Sequence, residues 1–399
     1  MRQVNFNQPA AASSETARHI NRGIVLNLIR NRQPVSRADV ARFSGLQRST
    51  VSLIVEELIA DEWVVEGSMG RLPRGRRPTF LELNQKRAVV SIDIRPSGIT
   101  IGVGDVNGVF TPQDAFSTPP DPAIAVKELV KRIKTLVKKR VGTPFDGIGI
   151  SMPGRIDLST HQLVFAPNLR WPVMDLKNAL EKATGLSVEL ENAANACALA
   201  EIWFGRSGEM RDLVTITVSE GIGTGIIAHG QLISGRRGMA GEFGHVPLEP
   251  DGPMCSCGNR GCWEVLASNR AALRYYAESR PDSAASLTFT DLLALADHGD
   301  VLANRALTRM AVQIGRGTRM IVAGLAPEAI AFIGEFTAAW SRFRPVIEAE
   351  VQAQSISAEP TILLAGENGA TARLRGTIAL VFIKHFGPLA PSVRQAANF

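Results

Sequence analysis

The segment Gly241–Glu264, GEFGHVPLEPDGPMCSCGNRGCWE, places one histidine and three cysteines close together in the chain. The four candidate metal ligands are His245, Cys255, Cys257 and Cys262. One imidazole and three thiolates suit tetrahedral Zn²⁺ with no open coordination position, which is typical of a structural metal site. Gly258 and Gly261 lie between the last two cysteines, where a tight metal knuckle needs residues that tolerate positive φ. The segment therefore predicts a structural zinc site.

Free cysteines, or one disulfide with a spare thiol, are the alternative interpretation of this segment. Three of the four cysteines in the chain fall within eight residues, just after the histidine, and this spacing favours zinc. The fourth, Cys197, lies in an alanine-rich helical stretch and is predicted to be an inert buried thiol. We expect such a protein in a reducing cytosol, where thiols persist.

The motif Gly241-Glu-Phe-Gly-His245, followed by Cys255-Ser-Cys257-Gly-Asn-Arg-Gly-Cys262-Trp-Glu264, resembles the zinc and sugar signature of the ROK family (repressors, open reading frames and sugar kinases). The order of segments is similar to that family over nearly the whole chain. The resemblance implies a two-lobed, actin-like (RNase H-like) α/β fold with a ligand cleft between the lobes. Periodicity alone predicts only an α/β chain with two lobes.

A chain of 399 residues is too long for a single core, and we expect three regions. Residues 1–84 are predicted to form a winged helix-turn-helix domain, residues 85–192 a first ROK lobe, and residues 193–371 a second lobe with the zinc and sugar-binding segment. A carboxy-terminal helix, about residues 372–399, is expected to pack back on the first lobe. The sequence has no apolar run of 18 residues and no hydrophobic leader, so we expect no membrane association.

The positive charge of the chain is concentrated at its amino-terminal end. Residues 1–87 contain 14 Lys and Arg against 8 Asp and Glu, which accounts for the whole formal charge of +6. A local basic surplus is typical of a module that binds a polyanion such as DNA.

Two helices joined by a turn are predicted within this basic region. The stretch Ser36–Asp39 is typical of a capping box, Gly45 permits a sharp turn, and apolar residues recur with helical spacing over residues 47–61. Polar side chains at the start of the second helix suit a recognition helix in the major groove of operator DNA. The predicted DNA-contacting residues are Gln47, Arg48, Ser49, Thr50 and Ser52. A plain helical hairpin is the alternative.

A wing is predicted after the second helix. Short strands at residues 63–65 and 79–83 are joined by a loop rich in glycine and proline. The loop carries four arginines, which suit contacts with phosphates or with the minor groove. These are Arg71, Arg74, Arg76 and Arg77. Residues 73–78 also resemble an AT-hook core with one extra arginine, so the wing is predicted to prefer an A·T-rich minor groove.

Beyond residue 84 short apolar strands alternate with amphipathic helices, and a second, similar series begins near residue 213. This duplication predicts two lobes. Gly223-Thr224-Gly225 resembles the second phosphate motif of the family's kinases, but we interpret it as a tight turn between two strands of the second lobe, which needs no nucleotide. The lysines of the helix predicted at residues 122–140 are expected to form a solvated face and not a second surface for nucleic acid.

Two departures from the kinase motifs of the family predict that phosphoryl transfer is lost. The resemblance aligns Asp93-Ile-Arg95-Pro96-Ser with the glycine-rich phosphate turn of the kinases, yet proline has no amide hydrogen. It aligns Ala193 with the aspartate general base, whose loss costs about 10²–10⁴ in rate. The protein is therefore not expected to be an enzyme.

The resemblance implies that a monosaccharide still binds in the cleft. Carboxylates and amides suit this task because each can make paired hydrogen bonds to sugar hydroxyls. The implied sugar-binding residues are Gly154, Asn168, Asn192, Glu242, His245 and Glu264. His245 would bind the metal through one ring nitrogen and the sugar through the other. The alternative for the two glutamates is plain surface charge beside the zinc knuckle.

Together these features resemble a sugar-responsive transcriptional repressor of the ROK family, similar to its xylose or N-acetylglucosamine repressors. Such a protein would bind a palindromic operator as a homodimer or homotetramer, and the monosaccharide would act by unequal affinity for two conformations. Three alternatives stay open: a sugar kinase with an attached DNA-binding module, a repressor controlled by a transport protein docked on the zinc region, and a metal-stabilised scaffold that does not bind DNA.

Overall fold

The computed structural model of the protein describes residues 14–69, 79–157, 160, 162–166, 169–205, 210–280, 287–353, 361–366 and 369–386. The chain divides into two compact units. The amino-terminal unit comprises residues 1–87 and 382–399, and the large unit comprises residues 88–381. No helix within the described residues is long and apolar enough to cross a membrane.

The described helices and strands alternate along most of the chain. The α-helices are α1 (Ser14–Arg32), α2 (Arg37–Ser44), α3 (Arg48–Ala60), α4 (Pro122–Lys139), α5 (Leu176–Thr184), α6 (Ala193–Phe204), α7 (Trp263–Ala267), α8 (Asn269–Ser279), α9 (Phe289–Asp297), α10 (Val301–Leu325), α11 (Trp340–Gln352) and α12 (Gly369–Phe386). The strands are β1 (Val35–Ser36), β2 (Val64–Met69), β3 (Thr79–Leu83), β4 (Ala88–Arg95), β5 (Gly98–Asp105), β6 (Phe110–Phe116), β7 (Phe145–Met152), β8 (Arg155–Asp157), β9 (Gln162–Phe165), β10 (Val188–Asn192), β11 (Leu213–Val218), β12 (Ile222–Ala228), β13 (Gln231–Leu232), β14 (Ala329–Ile333) and β15 (Ile362–Ala365). Short 3₁₀ helices span Arg236–Gly238, Glu242–His245 and Glu335–Ala339.

The amino-terminal unit contains three helices and a small antiparallel sheet in the order β1-β3-β2. The Ser36 hydroxyl accepts a hydrogen bond from the Asp39 amide at 3.2 Å, which caps α2, and the same hydroxyl holds the pKa of Asp39 below its usual value. Gly45 then ends α2 with a φ of 71°. The two predicted helices and the two strands predicted to flank the arginine-rich loop are confirmed. Strand β1 was not predicted, because two residues are too short to show a pattern.

The last turn of α12 belongs to the amino-terminal unit. The Trp63 ring meets the rings of Phe382 and Phe386 edge-on, with centroid distances of 5.9 and 5.7 Å, and the Asn27 amide donates to the Phe386 carbonyl at 2.8 Å. Burial lowers the pKa of His385 in the same turn to about 4. The prediction that the carboxy-terminal helix packs on the first lobe is therefore wrong for residues 382–386, because their aromatic rings complete a different core. Residues 387–399 lie outside the described residues.

The large unit contains two five-stranded sheets of the same topology. Their strand orders are β10-β7-β4-β5-β6 and β13-β12-β11-β14-β15. In each sheet a three-stranded antiparallel meander is followed by two parallel strands, and the first strand of the meander is central. The start of α12 packs on the first sheet, where the Ser91 hydroxyl donates to the Leu374 carbonyl at 2.9 Å. The predicted duplication is confirmed.

The interpretation of Gly223-Thr224-Gly225 as a turn is wrong. These residues lie inside β12, where Gly223 pairs with Thr217 of β11, and the turn lies at residues 219–221. A Cβ added to Gly225 would lie 2.6 Å from the Ala194 carbonyl oxygen. The glycines therefore allow β12 to pack closely against α6, a requirement that local sequence cannot distinguish from a turn.

Candidate functional site

The four predicted metal ligands come together in the large unit. The candidate donor atoms of His245, Cys255, Cys257 and Cys262 all lie within 4.8 Å of one another. The Cys255 Sγ atom is 3.6 Å from His245 Nδ1, and the Sγ atoms of Cys257 and Cys262 are 3.7 Å apart. Tetrahedral zinc with Zn–S of about 2.3 Å and Zn–N of about 2.0–2.1 Å separates its ligand atoms by roughly 3.6–3.8 Å. These side chains therefore fit a closed structural zinc site.

Glycines and a buried tryptophan position the cysteines. Gly258 and Gly261 have φ values of 94° and 60°, as the sequence predicts, and a Cβ on Gly261 would lie only 1.5 Å from the Glu249 carbonyl oxygen. The fully buried Trp263 follows the last cysteine, and its indole N–H donates to the Gln313 carbonyl of α10 at 2.8 Å. The knuckle is thus anchored to the longest described helix of the second lobe.

Two of the predicted sugar-binding residues lie in the 3₁₀ helix Glu242–His245. The Nδ1 atom of His245 faces Cys255, whereas its Nε2 atom lies 3.8 Å from the Glu242 carboxylate. The side chains of Glu242 and His245 are 46% and 33% exposed. The histidine therefore presents one ring nitrogen to the cysteine cluster and the other to a carboxylate that solvent can reach.

Glu264 also lies beside the cysteine cluster, in α7. Its carboxylate accepts a hydrogen bond from the Ile222 amide at 3.2 Å and lies 4.0 Å from Cys255 Sγ. Glu264 is thus held in place by the backbone of β12 and stands next to the candidate metal ligands.

Gly154 and Asn192 are joined directly. The Asn192 side-chain amide donates to the Gly154 carbonyl, and its oxygen caps α6 by accepting from the Ala194 amide at 2.8 Å. Gly154 has a φ of 103°, a conformation that favours glycine. Asn192 therefore has a structural function at the start of α6. Asn168 lies outside the described residues.

The carboxylate at the end of β4 is paired inside the protein. Asp93 is 1% exposed, and Arg373 of α12 donates from Nε to both carboxylate oxygens at 3.0 Å. Arg95 Nε lies 3.4 Å from the same carboxylate. Burial lowers the pKa of Arg373, but the negative charge of Asp93 more than offsets this, so the pKa is raised and the arginine stays charged. Sequence reasoning missed Arg373, because it lies 280 residues from its partner.

The position of the predicted missing base is the first residue of α6. Ala193 has no side chain that accepts a proton, and its neighbour Glu191 is buried. Burial raises the pKa of Glu191, although its carboxylate accepts hydrogen bonds from the Asn195 side chain and the Asn192 amide at 3.0 and 2.8 Å. Glu191 therefore supports the strand–helix junction from inside the protein.

The predicted DNA-contacting residues cluster at the start of α3. Gln47, Arg48 and Ser49 are exposed there, while Thr50 and Ser52 are half-buried. The opposite face of the helix is buried through Val51, Ile54, Val55 and Leu58. The first turn has no acidic residue. The wing residues Arg71, Arg74, Arg76 and Arg77 lie outside the described residues.

The two-sheet fold of the large unit is that of sugar kinases and related regulators. The structure is similar to a ROK family glucokinase from Streptomyces griseus in complex with glucose and AMPPNP, with a TM-score of 0.66, 28% identity, and coverage of 73% of this chain and 97% of that chain. The ROK family model matches residues 89–383. The protein belongs to the ROK family.

Regulators of the family are similar to this chain over a longer span. The xylose repressor of Bacillus subtilis (strain 168) is 33% identical over 329 residues, which cover 80% of this chain and 83% of the repressor. The crystal structure of a ROK family transcriptional regulator, a homologue of the E. coli MLC protein, has a TM-score of 0.79 at 25% identity and covers 93% of this chain and 99% of that chain.

Proposed function

We propose that the protein is a sugar-responsive transcriptional repressor that binds operator DNA through its amino-terminal unit. The extent of the similarity carries this proposal. The regulator structure covers 93% of this chain, whereas the glucokinase covers 73%. The additional coverage fits the presence of the amino-terminal unit. Residues 1–87 of this unit carry 14 Lys and Arg against 8 Asp and Glu.

In this proposal α2, the turn at Gly45, α3 and the β2–β3 hairpin act as a winged helix-turn-helix. The exposed start of α3 reads the major groove through Gln47, Arg48, Ser49, Thr50 and Ser52. The wing arginines Arg71, Arg74, Arg76 and Arg77 contact phosphates and an A·T-rich minor groove. A homodimer or homotetramer matches a palindromic operator, because two identical heads bind two identical half-sites.

A monosaccharide binds in the cleft of the large unit in this proposal. Gly154, Asn168, Asn192, Glu242, His245 and Glu264 contact its hydroxyl groups. His245, Cys255, Cys257 and Cys262 hold Zn²⁺, which when bound fixes the knuckle and the orientation of the His245 ring. The sugar controls DNA binding only if its affinity differs between the DNA-competent and the incompetent conformations.

The proposed repressor does not transfer phosphate. The Asp93 carboxylate is occupied by Arg373 and Arg95, and Ala193 stands where a general base would be needed. Both features support a binding function in place of catalysis.

The test is binding of the full-length, zinc-loaded protein to its own upstream DNA, measured by fluorescence anisotropy with and without a panel of monosaccharides. We expect affinity that falls steeply with salt and that changes when one sugar is added. Arg76→Ala should weaken DNA binding more on A·T-rich than on G·C-rich flanks. An equal loss of affinity on both flanks would mean that the wing contacts only phosphates. ATP-dependent phosphorylation of a sugar, or affinity without salt dependence, would contradict the proposal.

A further inference from the structure

Three arginines lie in two segments that meet at β8, next to Gly154. Arg155 follows Gly154 directly in the chain, and Arg236 and Arg237 begin the 3₁₀ helix Arg236–Gly238. The two segments touch through their backbones, because a Cβ added to Gly238 would lie 2.4 Å from the Ile156 carbonyl oxygen. Residues 81 positions apart in the chain are thus brought to one place.

The side chains of Arg155 and Arg237 lie close to the contact between the two segments. The Arg155 Cγ atom would be 4.0 Å from a Cβ added to Gly238. The Arg237 Nε atom is 3.9 Å from the Asp157 carboxylate. Arg155, Arg237 and Asp157 therefore lie at this contact, and Arg236 directly precedes Arg237 in the chain.

The positive charge of this group exceeds its negative charge. Asp157 pairs with Arg237, but within the described part of the chain the guanidinium groups of Arg155 and Arg236 have neither a hydrogen bond nor an ion pair. Arg155 is half-buried, and its Nε atom is shielded from solvent without an acceptor. A buried donor without a partner is unfavourable, and a bound anion is the kind of group that satisfies a guanidinium.

The arginine group lies beside the residues proposed to bind sugar. On one side the Asn192 side chain donates to the carbonyl of Gly154, the residue before Arg155. On the other side the chain passes from Gly238 to Gly241, whose carbonyl accepts from the Thr224 hydroxyl, and then to Glu242. The predicted hydroxyl-binding residues thus flank the unpaired cations on both sides in the chain.

We propose that Arg155, Arg236 and Arg237 form an anion subsite and that the effector is a monosaccharide with a negatively charged substituent, a phosphate or a carboxylate. This inference rests on the proposed function. Guanidinium groups donate paired hydrogen bonds to either kind of oxyanion. The carboxylates of Glu242 and Glu264 repel an anion and therefore bind the hydroxyl end of the sugar, while the arginines bind the charged end.

The experiment is calorimetric titration of the full-length, zinc-loaded protein with matched ligands: pentoses, hexoses and N-acetylhexosamines, each as the neutral sugar, its terminal phosphate and its terminal carboxylate. We expect one anionic ligand to bind at least about 10-fold more tightly than its neutral parent, as charge-assisted hydrogen bonds predict. Whether the phosphate or the carboxylate binds more tightly identifies the substituent. The preference should shrink with rising salt.

Arg155→Gln and the double variant Arg236→Gln/Arg237→Gln should reduce the affinity for the anionic ligand to that for its neutral parent. The matched control is Lys127→Gln/Lys134→Gln, which removes two exposed charges from α4 and should keep the preference. Because Arg236 and Arg237 are exposed, their variant should fold even if Arg155→Gln does not.

Neutral sugars that bind as tightly as their charged derivatives would overturn the subsite while leaving the proposed repressor intact. So would arginine variants that retain the full preference. If no ligand of either kind binds while salt-dependent operator affinity is normal, both the subsite and the proposed sugar response are wrong.

Discussion

The large unit has two polar corners. In the first, around Asp93, the charged groups are paired inside the protein, and in the second, around Glu242 and His245, they remain exposed. At the end of β4 the Asp93 carboxylate is buried, accepts hydrogen bonds from Arg373 and forms an ion pair with Arg95. Beside the cysteine cluster, Glu242 and His245 remain 46% and 33% exposed and lie 3.8 Å apart. A buried carboxylate that is already paired inside the protein is less available to a ligand than one that solvent can reach. The first corner is thus closed by internal pairing, whereas the second keeps charged groups that solvent can reach.

The largest effect is expected from removing Arg373, the arginine that donates hydrogen bonds to Asp93 in the first corner. Arg373→Ala leaves the buried Asp93 carboxylate with Arg95 alone, at 3.4 Å, and losing one partner of a buried ion pair costs about 3–5 kcal/mol in the free energy of unfolding. Urea denaturation measures this loss. Arg305→Ala, an exposed change in α10, is the control and should stay within about 0.5 kcal/mol of the parent. If Arg373→Ala lowers the free energy of unfolding no more than the control does, the Arg373–Asp93 pair does not stabilise the fold.

The second corner is tested by removing a candidate metal ligand. Cys262→Ala should abolish zinc binding, measured by elemental analysis, and should lower stability. If free zinc is about 100 times its dissociation constant, the lost stabilisation is about 2.7 kcal/mol. Cys197→Ala removes the buried thiol in α6 and should keep full zinc content. Unchanged zinc content in the Cys262 variant would contradict the ligand set.

A smaller effect is expected from Glu242→Gln, which keeps the shape of the open corner but removes its charge. Losing charge-assisted hydrogen bonds to sugar hydroxyls should weaken sugar binding by about 10- to 100-fold, with operator affinity unchanged. Glu220→Gln, which breaks an exposed pair with Arg270, is the matched control. If operator affinity falls together with sugar affinity, Glu242 supports the fold and is not a ligand contact.

The smallest effect is expected from Ala193→Asp, which restores a carboxylate at the start of α6. ATP turnover should stay undetectable in a coupled assay, because Asp93 remains paired and Pro96 supplies no amide to a phosphate. Turnover that appears with this single change would show that the first corner still accepts nucleotide.

The parts of the molecule that local sequence could predict are those that local forces decide. The capping of α2 by Ser36, the turn at Gly45 and the buried face of α3 all follow from neighbours within a few residues. The cysteine spacing and the glycines of the knuckle likewise predicted the ligand cluster. The roles of the DNA-binding and sugar-binding residues stay predictions.

The sequence by itself determined the order of elements, the duplication of the lobes and the residues of the candidate metal site, because each follows from local patterns of polarity, glycine and cysteine. Only the tertiary structure decided that Arg373 neutralises Asp93, that residues 382–386 complete the core around Trp63, and that Arg155 meets the 3₁₀ helix Arg236–Gly238. These contacts join residues far apart in the chain. Their partners are selected by how whole sheets and helices pack, and no local pattern carries that information.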